Sequence, residues 1–330
     1  MMTVFLYYLF SRDTILTIMT ALLGYYSIKL AAYVVLIKSR DIFTVLTKSM
    51  AILAEVTVKE IKSYDRRHGL LKGALCLMCG FSMAGYLILN GISQDVLALV
   101  MGLRTKESGD QTIATIGLMI YYVAFCGFIT QVHFYNTTLY VAAQLADNVR
   151  SKLIQTKISV TPDYLLMRRS LEACNLLMQT VNMELGTIPF SLLAMAFVSF
   201  SCSISYLVTC KGILAVTPFY AAITFGSMNL VFLFYLFQVI ELSIRVHNSM
   251  AEAWQLAKDY ASDPETTITT PESRKAWTSL QFFLMTESVV PAKAGNNIVI
   301  DRSLILSFFN QVIPFTVMMF TTVKELDRLI

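Results

Sequence analysis

Long apolar runs separated by polar, charged stretches give this chain its pattern. Six segments are apolar over about 20 residues or more, the length a helix needs to cross a bilayer: 14–37, 70–91, 112–135, 186–210, 217–240 and 303–323. Residues 1–10 are apolar but about half that length. They read as an interfacial segment or a shortened first span, and we favour the shortened span. The periodicity does not stop at the ends of the spans. Residues 131–157 carry Val132, Tyr135, Leu139, Ala142, Leu145, Val149 and Leu153 at intervals of mostly three or four, which predicts a helix continuing out of the membrane. Residues 164–188 and 241–262 read in the same way. Thr161-Pro162-Asp163 separates the first two of these helices, because proline cannot continue a helix interior and pushes its predecessor toward extended backbone. Residues 262–275 are polar, with Pro, Ser and Thr, and predict a flexible linker. Apolar periodicity returns over 276–288, and Ala294-Gly295-Asn296-Asn297 breaks the chain before the last run.

The expected architecture is an all-α integral membrane protein: six transmembrane helices, a short N-terminal apolar segment and cytoplasmic helical extensions. It forms one domain over 1–323, with a cytoplasmic anchor from 131–188 and 241–302 and a short extracellular tail over 324–330. Composition agrees. Hydrophobic residues make up 56% of the 330 and charged residues 15%, against about 45–50% and 25% in soluble domains. The mean hydropathy of +0.61 suits apolar side chains facing lipid.

Charge sets the orientation, because cytoplasmic loops near spans retain Lys and Arg. Eight lie in 38–72, five in 136–185 and six in 241–302, against six in the alternate segments and Lys29 inside a span. The C-terminus is therefore expected outside. The net charge of +4 is placed between apolar runs rather than gathered on one face, which argues against a nucleic-acid surface. The N-terminus has neither a basic leader nor a small-residue cleavage site, so a cleaved signal peptide is not expected.

Candidate chemistry is sparse. The six cysteines are scattered, and Cys76-x-x-Cys79 lacks the βαβ surroundings of a redox motif, so helix packing is its expected role. His68, His133 and His247 fall at predicted cytoplasmic borders without metal-ligand spacing. There is no Walker loop, nucleophile elbow or dinucleotide fingerprint, so neither an enzyme nor a cofactor is expected. Lys29 lies inside a span, which makes it a functional candidate, but the cytoplasmic headgroups are about two turns away and snorkelling is favoured. Tyr86, Tyr121, Tyr122, Tyr206 and Tyr220 lie toward the outer halves of their spans. Such residues suit a small-ligand pocket and equally an interfacial aromatic belt. The sequon Asn136-Thr137-Thr138 is predicted inside and so unmodified.

Three stretches carry a family resemblance. Residues 131–153, with spaced aromatic, Leu and Asn residues, and Arg169–Gly186, which ends in Asn and Gly, resemble segments of the arthropod gustatory receptors. Gly295–Ser307 is similar to that family's turn followed by an apolar-x-apolar-Asp-Arg-Ser-Leu entry to the final span. The family signature there is Thr-Tyr, five apolar residues and Gln-Phe. Over the matching stretch, Pro314–Thr322, the Tyr position holds Phe315, and the Gln and last Phe positions hold Thr321 and Thr322.

The resemblance covers roughly 14–323 and implies a seven-span, ligand-gated cation channel for small-molecule tastants. It would lie in the plasma membrane of sensory neurons, in contact with membrane lipids, as a homo- or hetero-tetramer of related subunits. Residues 1–10 would be the outer end of a truncated first helix. The implied pore residues are Gln311, Phe315, Thr321 and Thr322, and the pocket residues are the tyrosines above. Two alternatives remain: a G-protein-coupled receptor, which would have its C-terminus inside, and a secondary transporter, which would show repeat symmetry and broken mid-membrane helices.

Overall fold

A computed structural model describes residues 64, 66–74, 76–78, 80, 111–156, 163–209, 216–262, 270–295 and 297–329. The predicted first span and residues 1–10 lie outside the described residues. Those described between Tyr64 and Gly80 are helical. The following elements are α1 (Gln111–Thr156), α2 (Tyr164–Leu185), α3 (Thr187–Thr209), α4 (Val216–Ser262), α5 (Pro271–Thr286), β1 (Lys293–Ala294), β2 (Ile298–Val299) and α6 (Ser303–Leu329). The described chain is mostly helical, as the periodicity predicts. The break at 294–297 is more ordered than the expected turn. It closes an antiparallel hairpin pairing Lys293 with Val299 and Ala294 with Ile298, with Gly295 at φ 62°, a conformation glycine adopts without a Cβ clash.

The helix starts follow local chemistry. Asp163 caps α2 by accepting from the Leu166 N–H at 3.0 Å, so the Thr-Pro-Asp break is also a start signal. Thr270 caps α5 in a reciprocal box with Ser273, and Pro271 occupies the first turn, where its missing N–H costs nothing. Asp301 caps α6, accepting from the Ser303 and Leu304 N–H groups at 2.9 and 3.2 Å.

α1 and α4 have 46 and 47 residues, about 70 Å each at ~1.5 Å per residue, roughly twice the ~30 Å hydrocarbon core. They run parallel. Phe125 meets Phe232, Asn136 meets Gln238, Asp147 meets Arg245, and the Tyr260 hydroxyl donates to the Leu153 carbonyl. Positions 136–156 and 241–262 thus extend in one direction, as the predicted cytoplasmic extensions require. The core lies along this seam: Phe128, Ile129, Val132, Leu139, Ala146, Val231, Tyr235 and Ala253 are fully buried.

α2 and α3 meet at a bend of 52° across Gly186. Among the described residues, Gly226–Ser262 is long and apolar enough by itself to cross a membrane, with mean hydropathy 1.6, and the bent α2–α3 pair passes the same test jointly. α6 continues as one helix through Pro314. Of the predicted linker, 263–269 lies outside the described residues, while 271–275 is not linker but the first residues of α5; the Trp277 indole N–H and the Gln281 amide both donate to the Ala261 carbonyl at 3.0 Å.

Candidate functional site

The final helix carries the four residues implied as pore-lining, Gln311, Phe315, Thr321 and Thr322. One face of α6 turns inward. Phe308 and Val312 are buried, and Phe197 and Phe200 of α3 meet Phe308, Phe309 and Phe315 at centroid distances of 5.0–6.5 Å. Offset and edge-to-face rings contribute about 0.5–1.5 kcal/mol per pair beyond their buried area. The other face is exposed and mixes Leu306, Asn310, Gln311, Ile313, Val317 and Thr321. Of the four implied pore residues, Gln311 and Thr321 lie on this exposed face. Phe315 instead turns toward Phe197, 5.0 Å between centroids. Thr321 donates its hydroxyl to the Val317 and Met318 carbonyls at 3.1 and 2.9 Å. Thr322 is on α6, but its side chain lies outside the described residues.

Of the implied pocket residues, Tyr86 falls outside the described residues. Tyr121 and Tyr122 are placed on α1, Tyr206 on α3 and Tyr220 on α4 by their backbones alone, and their side chains lie outside the described residues.

The seat of α6 contains groups the sequence reading passed over. Two asparagines of α2 hold the extended chain between α5 and the hairpin. Asn175 donates to the Ser288 carbonyl at 2.9 Å and accepts from the Val290 N–H at 3.3 Å. Asn182 donates to the Pro291 carbonyl at 2.8 Å and accepts from the Lys293 N–H at 2.9 Å. One turn on, the Gly295 N–H donates to the Gly186 carbonyl at 2.6 Å. The only signal available in the sequence was the Asn-x-x-x-Gly ending of the second resembling stretch. The Asp-Arg-Ser-Leu entry has a local role: Asp301 caps α6, and its carboxyl sits below the usual range chiefly because the Ser303 hydroxyl donates to it.

A second polar group lies on the α1–α4 seam. Asn136, fully buried, donates to the Gln238 carbonyl oxygen at 3.2 Å, and the Gln238 amide nitrogen lies 2.8 Å from His68 Nδ1. With its oxygen already accepting, Gln238 offers His68 an N–H, so Nδ1 accepts and the neutral imidazole carries its proton on Nε2. Burial lowers the His68 pKa, aided by His133 and Arg67 and opposed by Glu241. Tyr64 stacks on Tyr140 at 4.0 Å and tilts over His68 at 4.2 Å; burial, then Tyr140 and Glu241, raise its phenol above the usual value. His68 and His133 therefore share an electrostatic neighbourhood the sequence did not reveal, while His247 is exposed. Among the described residues no three His, Cys, Asp or Glu side chains converge as a metal site would require. The sequon asparagine Asn136 is inside a helix and buried, so it presents no surface acceptor.

No known protein family matches this chain, and no curated protein matches it.

Proposed function

We propose that the chain is a multi-pass membrane chemoreceptor of the arthropod gustatory type, acting as a ligand-gated cation channel for small molecules. It carries six transmembrane helices and the remnant of a seventh, its C-terminus lies outside, and its last helix faces the ion path. The observation that carries this reading is the pair of parallel 46- and 47-residue helices, each about twice the length one bilayer needs. Both extend on the side where Lys and Arg concentrate. Long cytoplasmic extensions of this kind are what the family resemblance implies.

Two further features support it. α6 keeps one face on α3 and leaves the other, with amide, hydroxyl and branched apolar groups, unpacked within the subunit, as a helix beside a narrow aqueous path would. In the predicted cytoplasmic layer, away from lipid, α2 and α5 expose Leu176, Met183, Phe282 and Met285. Exposed apolar groups there call for a protein neighbour, and a tetramer of this or related subunits supplies one. Ligand shifts gating only by its differential affinity for the open and closed arrangements.

The test joins sidedness to conduction. An epitope after Ile330 is expected to stain on intact, unpermeabilised cells, and panels of sugars, bitter compounds and CO2 are expected to include one that evokes a cation current. Staining only after permeabilisation overturns the topology and favours a G-protein-coupled receptor. Correct sidedness with no current, alone or with related subunits, removes the channel reading.

A further inference from the structure

The unsatisfied backbone of an extended segment between two helices has to find partners, and here α2 supplies them in register. Asn175 and Asn182 are seven residues apart, so they share one face of α2 two turns apart, about 10.5 Å along its axis. Each amide takes one carbonyl and one N–H from residues two apart: Ser288 and Val290 for Asn175, Pro291 and Lys293 for Asn182. The two pairs are three residues apart in the extended chain, about 10 Å at ~3.3 Å per residue. Helix and extended segment thus match in pitch. The two side chains act as the edge of a neighbouring strand, and the segment runs parallel to α2. Just beyond, the Gly295 N–H meets the Gly186 carbonyl at 2.6 Å, and the Ile300 N–H closes the hairpin on the Ala292 carbonyl at 3.0 Å.

We propose that Asn175 and Asn182 are positioning residues that fix the foot of α6 to α2, so that α6 can move only by pivoting about the 293–299 hairpin and not by sliding along α2. A slide of one residue would break all four amide bonds together and could not remake them: it would set the Asn175 oxygen against Pro291, which has no N–H, and the Asn182 amide against the Ala292 carbonyl, which already accepts from the Ile300 N–H. A pivot at the hairpin leaves all four intact. Under the channel reading, on which the gating consequence rests, this clamp transmits the position of the cytoplasmic helices to the pore helix.

The test is amide hydrogen exchange over residues 288–294, with the full chain in lipid nanodiscs, comparing wild type, Asn175→Ala/Asn182→Ala and Asn175→Asp/Asn182→Asp. Alanine removes the acceptors for the Val290 and Lys293 N–H groups, and exchange there is expected to accelerate about tenfold, the loss of one ordinary hydrogen bond each. Aspartate keeps the acceptor and loses only the donor, so exchange at these two amides is expected to stay near wild type. In the same alanine variant, ligand-free cation current per surface-expressed chain is expected to change severalfold. Unchanged exchange in the alanine variant overturns the proposal whatever the chain conducts, as does equally fast exchange in the aspartate variant. Where exchange behaves as expected but wild type carries no cation current, the channel reading fails and the positioning role stands.

Discussion

The α1–α4 pair and the link from α2 to α6 are held in different ways. The pair is a long apolar seam, closed at its far end by charge: Arg245 grips Asp147 through two nitrogens, at 3.1 and 2.6 Å, and Arg150 meets Glu252 at 2.6 Å. Its strength is spread over dozens of side chains, each contributing through area and fit. The α2–α6 link, from Glu287 to Arg302, buries Ala292, Ala294 and Ile300, but apolar contact does not set its direction. Two asparagines, a glycine-to-glycine backbone bond and one aspartate cap specify it instead. The first region resists any single loss of direction because its forces are not directional. The second is fixed in direction by a few bonds, which suits a joint.

The comparison is broken hardest at the seam. Leu139→Ala, at a fully buried position, is expected to cost about 2–5 kcal/mol, read as a clear fall in the thermal midpoint of the purified protein; a change within error would mean the seam is looser than its burial indicates. Next comes the bend. A Cβ at Gly186 would stand 2.4 Å from the Asn182 carbonyl oxygen and 3.1 Å from that of Gly295, so backbone must shift. Gly186→Ala is expected to cost about 1–3 kcal/mol and to speed exchange at the Gly295 amide, and a variant as stable as wild type with a protected Gly295 would contradict that geometry.

Smaller effects sharpen the contrast. Asp147→Asn weakens the Arg245 grip and the Ser249 contact, but Arg245 is 43% exposed and water screens the pair. The expected loss is about 1 kcal/mol or less, measured as a thermal shift that salt reduces in wild type and not in the variant.

The smallest effect is a pH dependence at the Asn136–Gln238–His68 chain. His68 has a folded pKa below its ordinary 6.5, so below 6.5 the unfolded chain binds the extra proton first. The stability that neutral His68 contributes is complete above 6.5 and is lost as pH falls through the interval below it. A thermal midpoint that declines on acidification in wild type and less steeply in His68→Gln is expected. Equal slopes would place the titration elsewhere.

Much of this architecture was legible in the sequence because helices announce themselves locally. Apolar residues recurring every three or four positions predicted the helical stretches of α1, α2 and α4, and Thr161-Pro162-Asp163 marked the break before α2 through backbone chemistry that needs no partner, whereas Pro271 starts α5 inside a stretch read as a flexible linker. The hairpin was not legible, since two-residue strands carry no periodicity. Asn175 and Asn182 read as ordinary polar positions on an amphipathic helix. The resemblance implies Phe315 as a pore residue, and its contact with Phe197, 5.0 Å between centroids, was not legible, because the side of α6 that is covered depends on where α3 stands.

The sequence by itself thus determined that the chain is helical and apolar, how far its helices run and which ends carry positive charge, all properties of residues and their near neighbours. Only the tertiary structure decided that α1 and α4 run parallel in contact, that His68 meets Gln238 across 170 residues, and that two asparagines clasp a segment more than 100 residues away. Those pairings depend on the relative placement of whole helices, and no local pattern of side chains encodes that placement.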